Sequence, residues 1–250
     1  MHRVVPELIV ENYRAGRYGG EFAAVGMFLD LSGFSTMTDT LMQQGQHGAE
    51  VLASLMHGVF DPLVESIFEY GGKIVSFAGD GIMALYPIEN DDVKQTALRA
   101  LASAWVVQQR LMENPDRRTM YGKFTFSAKI GLAVGSVSWK ILRSKDEQQA
   151  TYYFRGSAVD DAARSEHQAE AGEIVLTDEL NELLEQDVRT RPKETFYRFI
   201  RFRVGIPKKV TVEFPPVDLE VSRIFMPEEV ILDGVRGEFR QIANLFIRIP

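Results

Sequence analysis

Two aspartates interrupt otherwise apolar stretches of this sequence. Asp30 lies in Met27-Phe28-Leu29-Asp30-Leu31-Ser32-Gly33-Phe34, and Asp80 in Phe77-Ala78-Gly79-Asp80-Gly81-Ile82-Met83. A carboxylate within or beside a buried strand is costly unless it is hydrogen-bonded, ion-paired or bound to a metal. Taken singly, each has an ordinary explanation. Asp30 can cap a helix starting near Gly33, and Asp-Gly is common turn chemistry. If the two strands are neighbours, however, the carboxylates converge. Two hard oxygen donors at a helix N-terminus suit Mg²⁺ or Mn²⁺ carrying a polyphosphate. The backbone amides around Ser32, Gly33 and Phe34 are placed to hold its phosphate oxygens.

The elements that must position these residues follow from the hydrophobic pattern. Val25 to Leu29 is an apolar run, predicting a buried central strand. Residues 35–41 predict a short helix. A long amphipathic helix follows from about His47 to Tyr70, with Val51, Leu52, Leu55, Met56, Val59, Phe60, Leu63, Val64 and Ile67 at helical spacing. Gly71-Gly72 ends it. Residues 73–87 read as a β-hairpin around Gly79-Asp80-Gly81. Residues 91–112 are helical, 123–139 form one long strand, and 150–154 its neighbour. Residues 158–169 are helical and 173–178 hold a short strand. Residues 196–204 and 208–214 read as a late strand pair. A hairpin between helices makes the sheet mainly antiparallel, so the fold class is α+β and ferredoxin-like, with helices packed on one face.

Composition narrows the function classes. The chain has 250 residues, 45% hydrophobic and 25% charged, with a mean hydropathy of −0.11. These are values of a folded soluble protein. No apolar run approaches the roughly 18 uncharged residues of a membrane helix, and the N-terminus does not read as a signal peptide. The absence of cysteine removes disulfides and thiolate chemistry and fits a cytoplasmic chain. With 28 basic and 35 acidic residues the net charge is −7, which argues against nucleic-acid binding by bulk charge. Neither nucleic acid nor membrane is expected as a partner. His47, His57 and His167 lack metal-ligand spacing, and the alternation in residues 196–204 suits a two-faced strand better than a base-stacking platform.

The pair FLDLSGFSTMTD and GGKIVSFAGDGIMALYP, followed by KIGLAVGSVSW and YYFRGSAVDDAARSEHQAEAGEIVLTDEL, resembles the class III nucleotidyl cyclases over roughly residues 22–180. The likeness is strongest to the first catalytic half of the soluble, bicarbonate-responsive adenylyl cyclases. It implies an adenylate cyclase domain forming 3′,5′-cyclic AMP and pyrophosphate from ATP by two-metal catalysis. It also implies two Mg²⁺ or Mn²⁺ ions held by Asp30, Asp80 and the Leu31 carbonyl, with phosphate bound at Ser32, Gly33 and Phe34.

Other positions depart from the family pattern. The base-reading lysine or glutamate is replaced by Ser76 and the second purine-reading position by Tyr153. Asp160 stands for the transition-state asparagine, although the arginine of that motif is present as Arg164. Lys73, three residues from Ser76 on one strand, is expected on the opposite face. A carboxylate at residue 160 repels phosphate and donates no amide hydrogen bond. The chain therefore reads as the metal-bearing half of a site completed by a second cyclase domain, from this chain beyond residue 250 or from another protomer. The alternative is an inactive regulatory or dimerisation domain. Residues 1–21 read as a lead-in and 22–222 as the catalytic domain. Residues 223–250 read as a linker and the first strand of a truncated second domain.

Overall fold

Alternation along one strand sets the architecture. In the computed structural model, which describes residues 5–89, 92–211 and 216–227, strand β1 (Gly19–Ser32) buries Val25, Met27, Leu29 and Leu31 on one face. Its intervening residues Ala24, Gly26, Phe28 and Asp30 turn to the other face. Around β1 the chain runs α1 (Glu7–Arg14) before it, then α2 (Phe34–Met42), α3 (Gly45–Glu69), β2 (Lys73–Ala78), β3 (Gly81–Pro87) and α4 (Val93–Glu113). Next come β4 (Asp116–Thr119), β5 (Gly122–Thr125), β6 (Ser127–Arg143), β7 (Ala150–Arg155) and α5 (Ser157–His167). The order ends with β8 (Ile174–Leu176), α6 (Asp178–Leu184), β9 (Val188–Lys193), β10 (Phe196–Phe202) and α7 (Leu219–Phe225).

The main sheet has the order β2-β3-β1-β6-β8-β10-β9, with β7 also paired to β6. Every pairing is antiparallel except β6 with β8. The mainly antiparallel α+β plan is thus as expected, and β1 and the β2–β3 hairpin are neighbours through β3.

Helices α3 and α4 cover the face holding Val25, Met27, Leu29 and Leu31. There Val59, Leu63 and Ile67 of α3 and Leu101, Ala104 and Val107 of α4 join one apolar core. Helix α3 is long and apolar enough to cross a membrane by length and composition, but here Val59, Leu63, Val64 and Ile67 are core residues. It ends as expected: Gly71 takes φ +83°, and the Gly72 amide donates to the Ile67 carbonyl at 2.9 Å.

One helix departs from the one-face expectation. Ala158 and Ala162 of α5 pack with Ala24, Met83, Ala133 and Val137 in a separate cluster on the opposite face. Glycines make this possible. A Cβ at Gly26 would stand 1.9 Å from the Ala158 carbonyl oxygen, and one at Gly131 would stand 2.2 Å from the Ala162 carbonyl oxygen. The α5 backbone therefore lies directly on β1 and β6.

Four further expectations are revised. The stretch 123–139 is not one strand, because β5 pairs with β4 in a separate two-stranded sheet and the main strand begins at Ser127. The late hairpin is β9 with β10, turning through Glu194 at φ +56°. Residues 208–211 run as irregular chain, tied to α3 by the Val210 amide on the Glu69 carbonyl at 2.8 Å, and 212–214 fall outside the described residues. The N-terminal lead-in contains α1, whose Ile9 is buried with Trp139 and Ile141 and whose Arg14 pairs with Asp218. Finally, a β-bulge lies between Ile74 and Ser76, so Lys73 opposes Leu85 while Ser76 opposes Met83. Those partners are two residues apart, so Lys73 and Ser76 share a face, contrary to the simple alternation. Residues 228–250, read as the end of a linker and a new strand, lie outside the described residues.

Candidate active site

The β1–β3 register brings the two aspartates to one end of the sheet. Its last ladder pair joins Leu29 to Ile82. One further step along each strand reaches Asp30 and Gly81, with Asp80 next in the turn. The Phe28 ring lies so near Gly81 that a Cβ there would be 3.1 Å from it, so β1 passes directly beside the Asp80 turn. That turn depends on Gly79, which holds φ +66°. Asp30 and Asp80 are both half-buried, and Asp80 has no partner among the described residues.

Beyond Asp30 the chain turns sharply into α2. Leu31 is buried, while Ser32 and Phe34 are half-buried and Gly33 is exposed. Gly33 occupies the N-cap at φ +96°, and a Cβ there would be 2.3 Å from the Thr125 carbonyl oxygen. Only glycine fits. Its carbonyl accepts from the Met37 amide at 3.2 Å, and no side chain caps α2. The first amides of α2 are therefore available to an anion.

Sequence reasoning missed a third charged residue. Lys129 on β6 lies opposite Asp30 in register. Its Nζ is 3.1 Å from Asp30 Oδ2 and 2.9 Å from Glu166 Oε1 of α5. The Glu166 side chain is only 4% exposed. The hydrogen bond to Glu166, aided by Asp30, raises the Lys129 pKa against the opposing effect of burial. The available signal was the one that exposed Asp30: a charge within the apolar run Ala128–Val134.

The remaining candidates are exposed. Ser76 is exposed on β2 beside the 56% exposed Phe77, and Tyr153 is 37% exposed on β7. Asp160 is exposed in the first turn of α5. Arg164, one turn further, is 71% exposed and pairs with Asp161, which raises its pKa. Among the described residues no cluster of three or more histidine or acidic side chains is built to hold a metal. Asp30 and Asp80 nevertheless form a hard oxygen donor pair of the type Mg²⁺ or Mn²⁺ takes.

A mainly antiparallel sheet here presents two carboxylates beside a helix with no side-chain cap. Residues 20–206 match the adenylate and guanylate cyclase catalytic domain family, and the chain belongs to that family. It is 28% identical to human adenylate cyclase type 10 over 182 residues, 69% of this chain and 11% of the relative. It is 30% identical to the rabbit protein of that name over 164 residues, 62% of this chain and 9% of the relative. The chain thus spans about a tenth of the length of these relatives. The fold matches the crystal structure of adenylyl cyclase CyaB from P. aeruginosa with a TM-score of 0.57 at 20% identity, covering 75% of this chain and 99% of that one.

Proposed function

We propose that the chain is the catalytic domain of an adenylate cyclase, converting ATP to 3′,5′-cyclic AMP and pyrophosphate. In this reading it supplies the metal-binding aspartates to a site completed by a second cyclase domain. The observation that carries it is the placement of Asp30 and Asp80 on adjoining ends of β1 and the β2–β3 turn, in a domain of the cyclase family. Asp30, Asp80 and the Leu31 carbonyl would hold two Mg²⁺ or Mn²⁺ ions, whose chemistry is to stabilise charge on the attacking 3′-oxygen and on the leaving pyrophosphate. Backbone amides around Ser32, Gly33 and Phe34, at the start of α2, would bind phosphate oxygens. Lys129 fixes the Asp30 carboxylate and offsets its charge.

The positions that would read the base and steady the transition state favour a partner domain. Ser76 offers one neutral hydroxyl, and the Asp160 carboxylate would repel phosphate and donates no amide hydrogen bond. These two residues also support a second reading, a domain retained for pairing or regulation.

A cyclase assay with Mn²⁺ and either ATP or GTP separates the readings. The chain alone, the chain mixed with a complementary cyclase domain, and both with Asp30→Ala are compared. Cyclic AMP from the mixture only, abolished by the substitution, supports the enzyme reading. Silence in every mixture, with the protein folded, supports the regulatory one.

A further inference from the structure

The sheet edge farthest from the aspartates carries a charge pattern that cyclase chemistry does not use. Residues 188–209 hold eight lysines and arginines and one acid, Glu194, in a chain of net charge −7. The β9–β10 register sets Arg191 directly opposite Arg198, and Arg189 opposite Arg201. Directly opposed like charges repel across a ladder. Packing does not demand them, since Val188 and Phe199 of the same hairpin supply its buried contacts. Through β8, Arg198 stands opposite Val175. It meets Glu173 at 2.8 Å and is 44% exposed. Arg189, Arg191 and Arg201 are exposed and have no ion pair with another described residue.

Exposed aliphatic side chains gather at one end of this hairpin. Ile200 is the bulged residue between Phe199 and Arg201. The Arg203 amide donates to the Asp187 carbonyl at 2.7 Å, which folds the outgoing chain back beside the start of β9. Ile200, Val204 and Ile206 are each 40–42% exposed.

We propose that this edge docks the domain on an anionic lipid surface. Arginines alone would serve an acidic peptide or a polynucleotide equally well. The aliphatic side chains beside them fit a partner with an anionic surface and an apolar interior. Lipid phosphates and carboxylates would also relieve the repulsion between the paired arginines. This revises the expectation of no membrane partner, which rested on the absence of a spanning segment and of a signal peptide. Local charge decides surface binding, because screening confines each field to about 10 Å. Strands β6, β8 and β10 stand between β9 and the Asp30 strand, so the docking edge lies across the sheet from the two aspartates.

The test is co-sedimentation of the chain with phosphatidylcholine vesicles, with and without phosphatidylserine. The expected result is partitioning into the anionic vesicles only, weakening as salt is raised. The Arg189→Gln/Arg191→Gln/Arg201→Gln variant is expected to partition about 100-fold less, from about 1 kcal/mol per arginine. A variant carrying Ile200→Ser and Val204→Ser should bind less where salt has screened the charges. Absence of wild-type binding to anionic vesicles at low salt overturns the proposal without reference to any variant. So does binding that the triple substitution leaves unchanged. Stronger binding to polyglutamate or single-stranded RNA than to vesicles, at equal salt, assigns the face to those partners instead.

Discussion

Asp30 and Lys129 are the residues on which the site turns, and they are coupled. Lys129 joins a half-buried aspartate to Glu166, which is 4% exposed. Replacing it with Met strands a buried carboxylate, so Lys129→Met is expected to destabilise the fold by about 2–3 kcal/mol in urea unfolding. It should also tighten Mn²⁺ binding at the aspartates if they are the metal site, because a competing cation is gone. Unchanged stability would show that Glu166 has another source of compensation. Asp30→Ala and Asp80→Ala are expected to leave the fold intact and to lower cyclase activity, measured with a complementary domain, by at least about 10²–10³-fold. A smaller loss would remove them from the catalytic site. The aspartates were legible in the sequence because each breaks an apolar run. Lys129 breaks one too, but its role depends on a partner on α5, and no local pattern pairs residues 129 and 166.

At the scale of elements, the position of α5 is set by glycines rather than by its own sequence. Gly26 and Gly131 let its backbone approach to distances that no side chain at those positions tolerates. Gly26→Ala is therefore expected to cost about 2–3 kcal/mol through overpacking, read as a shift in the urea midpoint at constant slope. No loss would mean that α5 can lift from the sheet without penalty. Most elements were legible: the long α3 by its helical stripe, the hairpin by Gly79-Asp80-Gly81, and β1 by its apolar run. What escaped was decided by long-range contact. The face chosen by α5 depends on glycines in other strands. The β2 bulge that brings Lys73 and Ser76 to one face is set by pairing with β3. Residues 208–211 alternate like a strand yet are held beside α3 by Lys209 and Val210, and the partner of β10 is the arginine-rich 188–193 instead. Helix α1, in the segment read as a lead-in, is anchored to α7 by Arg14 on Asp218 and Glu220 and by Tyr13 against Phe225. That contact joins segments some two hundred residues apart.

At the scale of the whole molecule, one buried acid, Glu173, ties the basic hairpin to the rest of the sheet. Glu173 accepts from Lys193 and the Glu170 amide and lies 2.8 Å from Arg198. Burial would raise its pKa, but these partners outweigh burial and hold it below its ordinary value of 4.5. The folded state therefore binds this proton less readily than the unfolded chain. The associated stability is complete above about pH 4.5 and declines as pH falls toward the lowered folded value. Lys193, raised by the same hydrogen bond, contributes in the opposite sense, and its share is lost only as pH rises above its ordinary value of 10.5. Thermal unfolding between pH 3 and 7 is thus expected to show a midpoint that falls on the acid side of 4.5. In Glu173→Gln that part of the slope should be shallower, while the remaining carboxylates keep theirs. If the two proteins titrate in parallel, Glu173 is not coupled to folding, and the basic hairpin is held to β8 by its backbone ladder and the apolar packing of Phe199 alone.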